Sequence, residues 1–178
     1  MGNRNINLRD ELVKGLKFLI GITAFYTFFW LLISNVNLYP LKATTASMSS
    51  ALLNVAGVPN ELIFGQEPLI IVKSVYAKIG NLCAGDIEIA LLLAIILATW
   101  DRSWRQRLWG CLFGLALIAI ANPLRIFIVL AIGYYSSWSW ANFTHDFLFR
   151  LMLIIIIVVY YFLWYVKYDR IRRFFKRV

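Results

Sequence analysis

The chain has 178 residues, of which 61% are hydrophobic, and a formal net charge of +9. A soluble domain of this length is usually about half apolar, so the composition excludes an ordinary soluble domain and predicts a single integral membrane domain over residues 1–178. The excess charge does not indicate a nucleic-acid partner, because most basic residues flank apolar segments, as the positive-inside rule requires of cytoplasmic loops.

Four apolar segments follow one another along the chain. A hydrocarbon core about 30 Å thick is crossed by about 20 residues of helix, so each segment is a candidate crossing. The sequence therefore predicts an all-α, polytopic membrane helix bundle with about four crossings. The four segments are 16–34, 84–100, 108–136 and 147–166.

The basic residues predict which side of the membrane each connection occupies. They cluster in a lead at 1–15, a loop at 101–107 and a tail at 167–178, and these should share the cytoplasmic side. The loop 36–83 and the region around 137–146 are then extracytoplasmic. We therefore expect a multi-pass protein of the cell (plasma or inner) membrane.

The predicted extracytoplasmic loop contains two kinds of sequence. Residues 43–57 mix small and apolar side chains, which predicts an amphipathic helix lying along the membrane interface. Residues 58–79 combine proline and glycine turn signals with β-branched residues, which predicts a small hairpin on the outer face.

The third apolar segment, 108–136, is long for one crossing, and Asn122-Pro123 interrupts it. An interior proline removes a backbone hydrogen bond and kinks a helix. We expect one Pro-broken helix, or a helix followed by a short re-entrant piece. Unsatisfied backbone at that depth is tolerated only against protein or a wet cavity, so the break predicts a pocket.

The two cysteines have different surroundings in the sequence. Cys111 lies inside an apolar run, and we expect it to be a small buried hydrophobic residue. Cys83 ends the extracytoplasmic loop at the mouth of the second crossing. The predicted topology places the two thiols near opposite faces of the membrane, so we expect no disulfide between them. A lone thiol at an outer membrane mouth suggests a nucleophile.

An arginine and a histidine are predicted in the same outer layer as Cys83. Arg125 lies within an apolar segment, where a charge is costly and is a functional candidate by default. The alternative is an arginine that reaches lipid phosphate. His145 is the only histidine and precedes the last crossing. Together they suit acyl transfer through a thioester: a cation favours the thiolate, imidazole moves the proton, and guanidinium stabilises an oxyanion.

These residues stand in short motifs: Cys-Ala-Gly at 83–85, Asn-Pro-Leu-Arg at 122–125, and His145 before the last crossing. In order, spacing and membrane placement they resemble the motifs of the exosortases and archaeosortases. The resemblance implies that Cys83 is the nucleophile, Arg125 the essential arginine and His145 the third catalytic member. Asn122, the first residue of its motif, and Arg150 are supporting candidates. Arg150 could take the third role in place of His145, since some relatives use an arginine there, but it should lie deeper within the last crossing.

Two features depart from the family pattern. The residue after the cysteine is often serine in the family and is Ala84 here, so a hydrogen bond from that position is missing. The chain is also short, with one predicted crossing before the outer loop where many relatives have several. It is either a minimal member or one that depends on a partner for substrate docking.

The resemblance implies a membrane cysteine transpeptidase. It would cleave the C-terminal tripartite sorting signal of exported proteins (a short motif, an apolar helix and a basic cluster) and transfer the new C terminus to a membrane lipid or similar acceptor. The alternative functions are a protease that releases its product to water, and a non-catalytic assembly partner or small transporter with an anion-binding Arg125. We expect no cofactor, and no metal site, since one histidine and two distant cysteines lack the necessary spacing.

Overall fold

A computed structural model describes residues 8–138 and 149–175. Most of this chain is helical, as predicted, and a small antiparallel sheet lies between the second and third helices. The elements in chain order are α1 (Leu8–Ser34), α2 (Tyr39–Val55), β1 (Glu61–Ile63), β2 (Leu69–Val72), β3 (Val75–Lys78), α3 (Asn81–Ala84), α4 (Asp86–Leu97), α5 (Trp104–Tyr135) and α6 (Phe149–Phe175).

Two of the described helices have the length and apolar composition of membrane spans: α1 over Arg9–Ser34 and α5 over Trp104–Tyr135. Helix α6 carries a shorter apolar stretch, Leu151–Val166, and continues into the basic tail. Helix α4 has only 12 residues, or about 18 Å of helix, which is less than a hydrocarbon core. The second predicted crossing is therefore shorter in the structure than in the sequence, and four crossings remain a prediction.

Helix α5 differs from the prediction of a Pro-broken helix over 108–136. It runs without interruption for 32 residues, with Pro123 inside it. The proline lacks an N–H for the usual intrahelical bond, and the carbonyl of Pro123 accepts a hydrogen bond from the Ser49 hydroxyl of α2 at 3.1 Å. Ser49 is fully buried. Support from α2 thus accompanies the proline at the point where a break was expected.

Glycines allow α5 to approach its neighbours closely near its N-terminal end. A Cβ at Gly110 would lie 2.7 Å from Trp164 Nε1 of α6, and one at Gly114 would lie 2.5 Å from a Leu92 methyl of α4. The Tyr160 hydroxyl of α6 also donates to the Gly110 carbonyl at 2.6 Å. Small residues spaced by four let helix backbones approach in membranes, and here they join α4, α5 and α6 into one core.

A second core joins the C-terminal half of α5 to α2 and the sheet. Of residues 43–57, those up to Val55 are helical as expected, within α2, while their placement at a membrane interface stays a prediction. Ile126 and Leu130 of α5 belong to the same buried cluster as residues of α2, of β2 and of the segments next to α2 and β3: Ala46, Leu53, Val58, Ile70, Val72 and Ile79. This cluster holds the sheet against the half of α5 that carries the candidate site residues.

The sheet has three antiparallel strands in the order β1-β2-β3, one more than the predicted hairpin. The register places Glu61, Ile71 and Tyr76 opposite one another in neighbouring strands. Lys73 turns the chain between β2 and β3 with φ of 54°, and its Nζ donates to the Tyr134 carbonyl of α5 at 3.0 Å. The extracytoplasmic position of the sheet stays a prediction.

One carboxylate ties the sheet to α2. Glu67 pairs with Lys78 of β3 at 3.0 Å and with Lys42 of α2 at 3.3 Å. The hydrogen bonds from Lys78 and Lys42 lower the pKa of Glu67 below its ordinary value. The stabilising effect of this pairing is therefore present above the unfolded pKa and is lost as acid protonates the carboxylate.

Candidate active site

Cys83 lies in the single helical turn α3, immediately before α4. The N–H groups of Cys83 and Ala84 both donate to the Gly80 carbonyl at 3.1 Å. Gly85 then ends the turn in the left-handed region, with φ of 82°. A Cβ at Gly85 would meet its neighbours no closer than 3.4 Å, so the backbone angle rather than space favours glycine here. The result is a half-buried thiol on a tight turn at the start of α4.

Asn122 of α5 holds this turn in place. Its Nδ2 donates to the main-chain carbonyl of Cys83 at 2.7 Å, and the side chain is 1% exposed. The Oδ1 of the same amide is buried without a hydrogen-bond partner among the residues that the structure describes. A buried amide directed at a backbone carbonyl is a positioning contact. The sequence drew attention to Asn122 through its place before Pro123 and in the Asn-Pro-Leu-Arg motif, but not as a donor to the Cys83 turn.

Arg125 lies one helical turn beyond Asn122, on the same face of α5. Residues three and four apart on a helix are neighbours, and Asn122, Arg125, Ile126 and Val129 are all buried. The Arg125 side chain is only 4% exposed. An arginine that reached lipid phosphate would be exposed, so the burial excludes that alternative.

A cavity of about 260 Å³ opens beside Cys83. Its walls come from β3 and the residue that follows it, from the C-terminal half of α5, and from the segment after α5. The lining residues are Val75, Tyr76, Ala77, Lys78, Ile79, Cys83, Ile126, Val129, Leu130 and Trp138. The Trp138 ring lies so close to α5 that a Cβ at Gly133 would overlap it. Arg125 is not among the lining residues, whereas the next residue of α5, Ile126, is.

The cavity lies near the predicted break, but its walls differ from those that the sequence suggested. The predicted pocket depended on unsatisfied backbone at Pro123, whereas the cavity depends on β3 meeting the next two turns of α5. Lys78, Tyr76 and Trp138 were missed as site residues. Their only signal in the sequence was the predicted hairpin before Cys83 and the aromatic residues near 138.

Three other residues were singled out by the sequence. His145 lies outside the described residues. Arg150 lies in the first turn of α6, and its side chain also lies outside the described part of the chain. Cys111 is 8% exposed and packs in the α4–α5–α6 core, as expected, and within the described residues neither cysteine forms a disulfide. The turn with Cys83 and the face with Arg125 are thus adjacent, while the place of His145 stays a prediction.

Comparison with known proteins identifies the family. A family model described as transmembrane exosortase matches residues 7–162, which include the Cys83 turn, Arg125 and His145. The protein belongs to the transmembrane exosortase family. This confirms the resemblance and extends it to α1, which the short motifs did not cover.

The exosortase-family chain is also similar to a curated protein, the probable archaeosortase D of Methanocaldococcus jannaschii. The two are 30% identical over 146 residues, which is 82% of this chain and 80% of the relative. Since the aligned shares are nearly equal, the relative has a similar length, and the shortness of this chain is not peculiar to it. No solved structure matches the chain.

Family membership decides the general class of this exosortase. It is a membrane protein of protein sorting and, at the level of the family, a sorting transpeptidase. Family membership alone does not identify the nucleophile, the course of the reaction or the acceptor.

Proposed function

We propose that this protein is a membrane cysteine transpeptidase. It cleaves the C-terminal sorting signals of exported proteins through a thioester on Cys83 and transfers the new C terminus to a membrane-associated acceptor. One observation carries the proposal: Asn122 fixes the Cys83 turn against the buried face of α5 that also bears Arg125. The thiol is half-buried and lies beside a cavity that can admit a peptide.

In the proposed reaction the Cys83 thiolate attacks the carbonyl carbon of the scissile peptide bond. The carbon–sulfur bond forms and the carbon–nitrogen bond breaks, and the thiol proton passes through His145 to the leaving amine. A nucleophile on the acceptor then attacks the thioester, its proton returns through His145, and Cys83 is released. Atoms and charges balance without a redox partner.

The burial of Arg125 favours a role at the site over contact with lipid phosphate. Because Arg125 is buried on the face of α5 that holds the Cys83 turn, its N–H donors act on the thiolate or on the oxyanion in a medium of low dielectric rather than in bulk water. An electrostatic interaction is stronger there than in water. The transporter alternative needs a charge that faces the passage, which the described cavity provides only at Lys78.

A thioester can be tested by trapping it. The substrate is a co-expressed exported protein whose C terminus bears a short motif, an apolar helix and a basic cluster, referred to below as the tail-bearing substrate. Hydroxylamine attacks thioesters, so adding it to membranes should yield a shortened substrate that ends in a hydroxamate, detected by mass spectrometry. Hydroxamate formed equally well by Cys83→Ala membranes, or never formed during active cleavage, would contradict the thioester.

The outward-facing site is tested separately by labelling introduced thiols in intact cells. In a chain without its native cysteines, a membrane-impermeant maleimide should label Gln66→Cys and Ser139→Cys, because both positions lie in predicted extracytoplasmic segments. It should label Arg105→Cys only after the cells are opened. Strong labelling of Arg105→Cys in intact cells would reverse the topology and separate His145 from Cys83.

A further inference from the structure

Strand β3 is an edge strand, and its edge borders the cavity beside Cys83. Among the described residues β3 pairs with β2 alone. Five consecutive residues from Val75 to Ile79 line the cavity, although their side chains alternate between the two faces of the sheet. A space that touches residues of both faces lies along the edge of the strand. The edge of β3 that faces β2 is already paired, so the cavity lies along the other, open edge of β3.

The ladder shows which backbone groups this edge presents. The Ile79 N–H donates to the Pro68 carbonyl at 2.8 Å, and the pairing partners of Ala77 and Val75 continue the same register. In an antiparallel pair, alternate residues direct their N–H and C=O groups at the partner strand. Val75, Ala77 and Ile79 therefore face β2, and the backbone groups of Tyr76 and Lys78 face the cavity.

The opposite wall of the cavity is apolar. It consists of Ile126, Val129 and Leu130 of α5, together with the Trp138 ring. The space is thus a groove with backbone donors and acceptors along one side and apolar side chains along the other. Cys83, five residues after Lys78 in the chain, also lines this groove. An extended peptide fits both walls, because its backbone pairs with a strand edge while alternate side chains point to the same side.

We infer that the polypeptide substrate binds as a fourth strand of the sheet, paired with the open edge of β3, and that this pairing delivers the scissile carbonyl to Cys83. The inference rests on the proposed function and names how the same site holds its substrate. β3 is about 13 Å long, so it pairs with about four residues of the sorting motif. Alternate residues of the motif face the apolar wall of α5 and should be small or apolar.

Strand pairing has a signature that other binding modes lack, namely a period of two. The experiment uses the full-length chain with Cys83→Ala, Cys111→Ala and Tyr76→Cys, and a tail-bearing substrate with one cysteine moved stepwise through the motif. Tyr76 is 68% exposed, so the substitution leaves the cores intact. Disulfide yield should alternate between high and low at successive substrate positions. A flat profile, or a helical period between three and four, would overturn the inference.

A second variant tests the register. Lys78 lies two residues beyond Tyr76 on the same strand face. With Lys78→Cys in place of Tyr76→Cys, the substrate position of highest yield should move by two residues while the alternation stays in phase, and the direction of the move tells a parallel from an antiparallel pairing. A maximum that stays at the same substrate position would show that the contact is not strand pairing.

The opposite edge of the sheet offers a matched control. Glu61 of β1 lies in the same cross-strand row as Tyr76, with Ile71 between them, and is separated from it by two strand spacings, or about 10 Å. Glu61→Cys should give little disulfide at every substrate position. Equal disulfide yield at Glu61→Cys would show that the disulfides form by random collision. Homodimers of the Tyr76→Cys chain as the main product would show that the open edge of β3 pairs with a second copy of the chain.

The outcomes separate this inference from the proposed function. An alternating profile together with normal processing by Cys83→Ala would support the strand pairing and reject the nucleophile. Lost processing in Cys83→Ala together with a flat profile would support Cys83 as the nucleophile and reject the strand pairing.

Discussion

Replacing Cys83 with alanine or serine should abolish processing of the tail-bearing substrate. The thiolate forms the bond on which every later step depends, and removal of a nucleophile reduces catalysis by a factor of about a thousand or more. Serine keeps the size of the side chain but is a far weaker nucleophile at neutral pH. The measurement is the rate at which the shortened substrate appears on a gel or by mass spectrometry, at matched levels of folded enzyme.

Cys111→Ala is the matched control for this prediction. Cys111 is buried in the α4–α5–α6 core and lies 11 residues before Asn122 on α5, or about 16 Å along the helix axis. Removing its sulfur costs a little packing and leaves the Cys83 turn untouched, so processing should persist. Equal loss of processing in the two variants, at equal levels of protein, would remove Cys83 from the proposed mechanism.

Arg125→Lys should reduce processing by about a hundredfold or more, although it keeps the positive charge. Loss of one preorganised donor to developing negative charge has effects of about this size. Arginine presents a planar fork of N–H donors, whereas lysine offers a compact ammonium on a flexible stem. Arg125 is buried on the packed face of α5, so a lysine there cannot reproduce the direction of those donors. The rate of processing at saturating substrate is the quantity to measure.

Two controls distinguish this effect from a general loss of structure. Arg105→Lys makes the same exchange at an exposed position near the start of α5 and should process substrate at the normal rate. Alkylation of Cys83 by a small thiol reagent reports on the thiolate without any substrate. It should slow in Arg125→Gln, which removes the charge, and much less in Arg125→Lys. Unchanged processing by Arg125→Lys would reduce Arg125 to a structural charge.

The sequence predicted those parts of the site that depend on local rules. The place of Cys83 at the mouth of an apolar segment drew attention to its thiol, and the cost of a charge in an apolar segment drew attention to Arg125. The burial of Cys111 followed from its apolar neighbours. Each of these expectations requires only the residue and the few positions around it.

The rest of the site depends on contacts between distant segments. The sequence predicted a break at Pro123, and the hydrogen bond that its carbonyl accepts from Ser49, 74 positions earlier, has no local signal. The open edge of β3 could not be predicted from the sequence, because the order of the strands depends on which strands pair with one another. Nothing local marked Asn122 as a donor to Cys83, 39 residues before it. Pairing over such separations is absent from any local pattern.

The contact between Asn122 and Cys83 goes to the main chain, not to the sulfur. The side chain at position 83 can therefore be changed while the hydrogen bond from Asn122 still holds the turn against α5. A chain inactivated by Cys83→Ala should keep a fully formed groove. It should therefore bind its substrate without cleaving it and release it slowly. Immobilised on a resin, such a chain is a bait that selects its own sorting signals from a solubilised membrane extract. The residues shared by the captured tails would then define the motif directly.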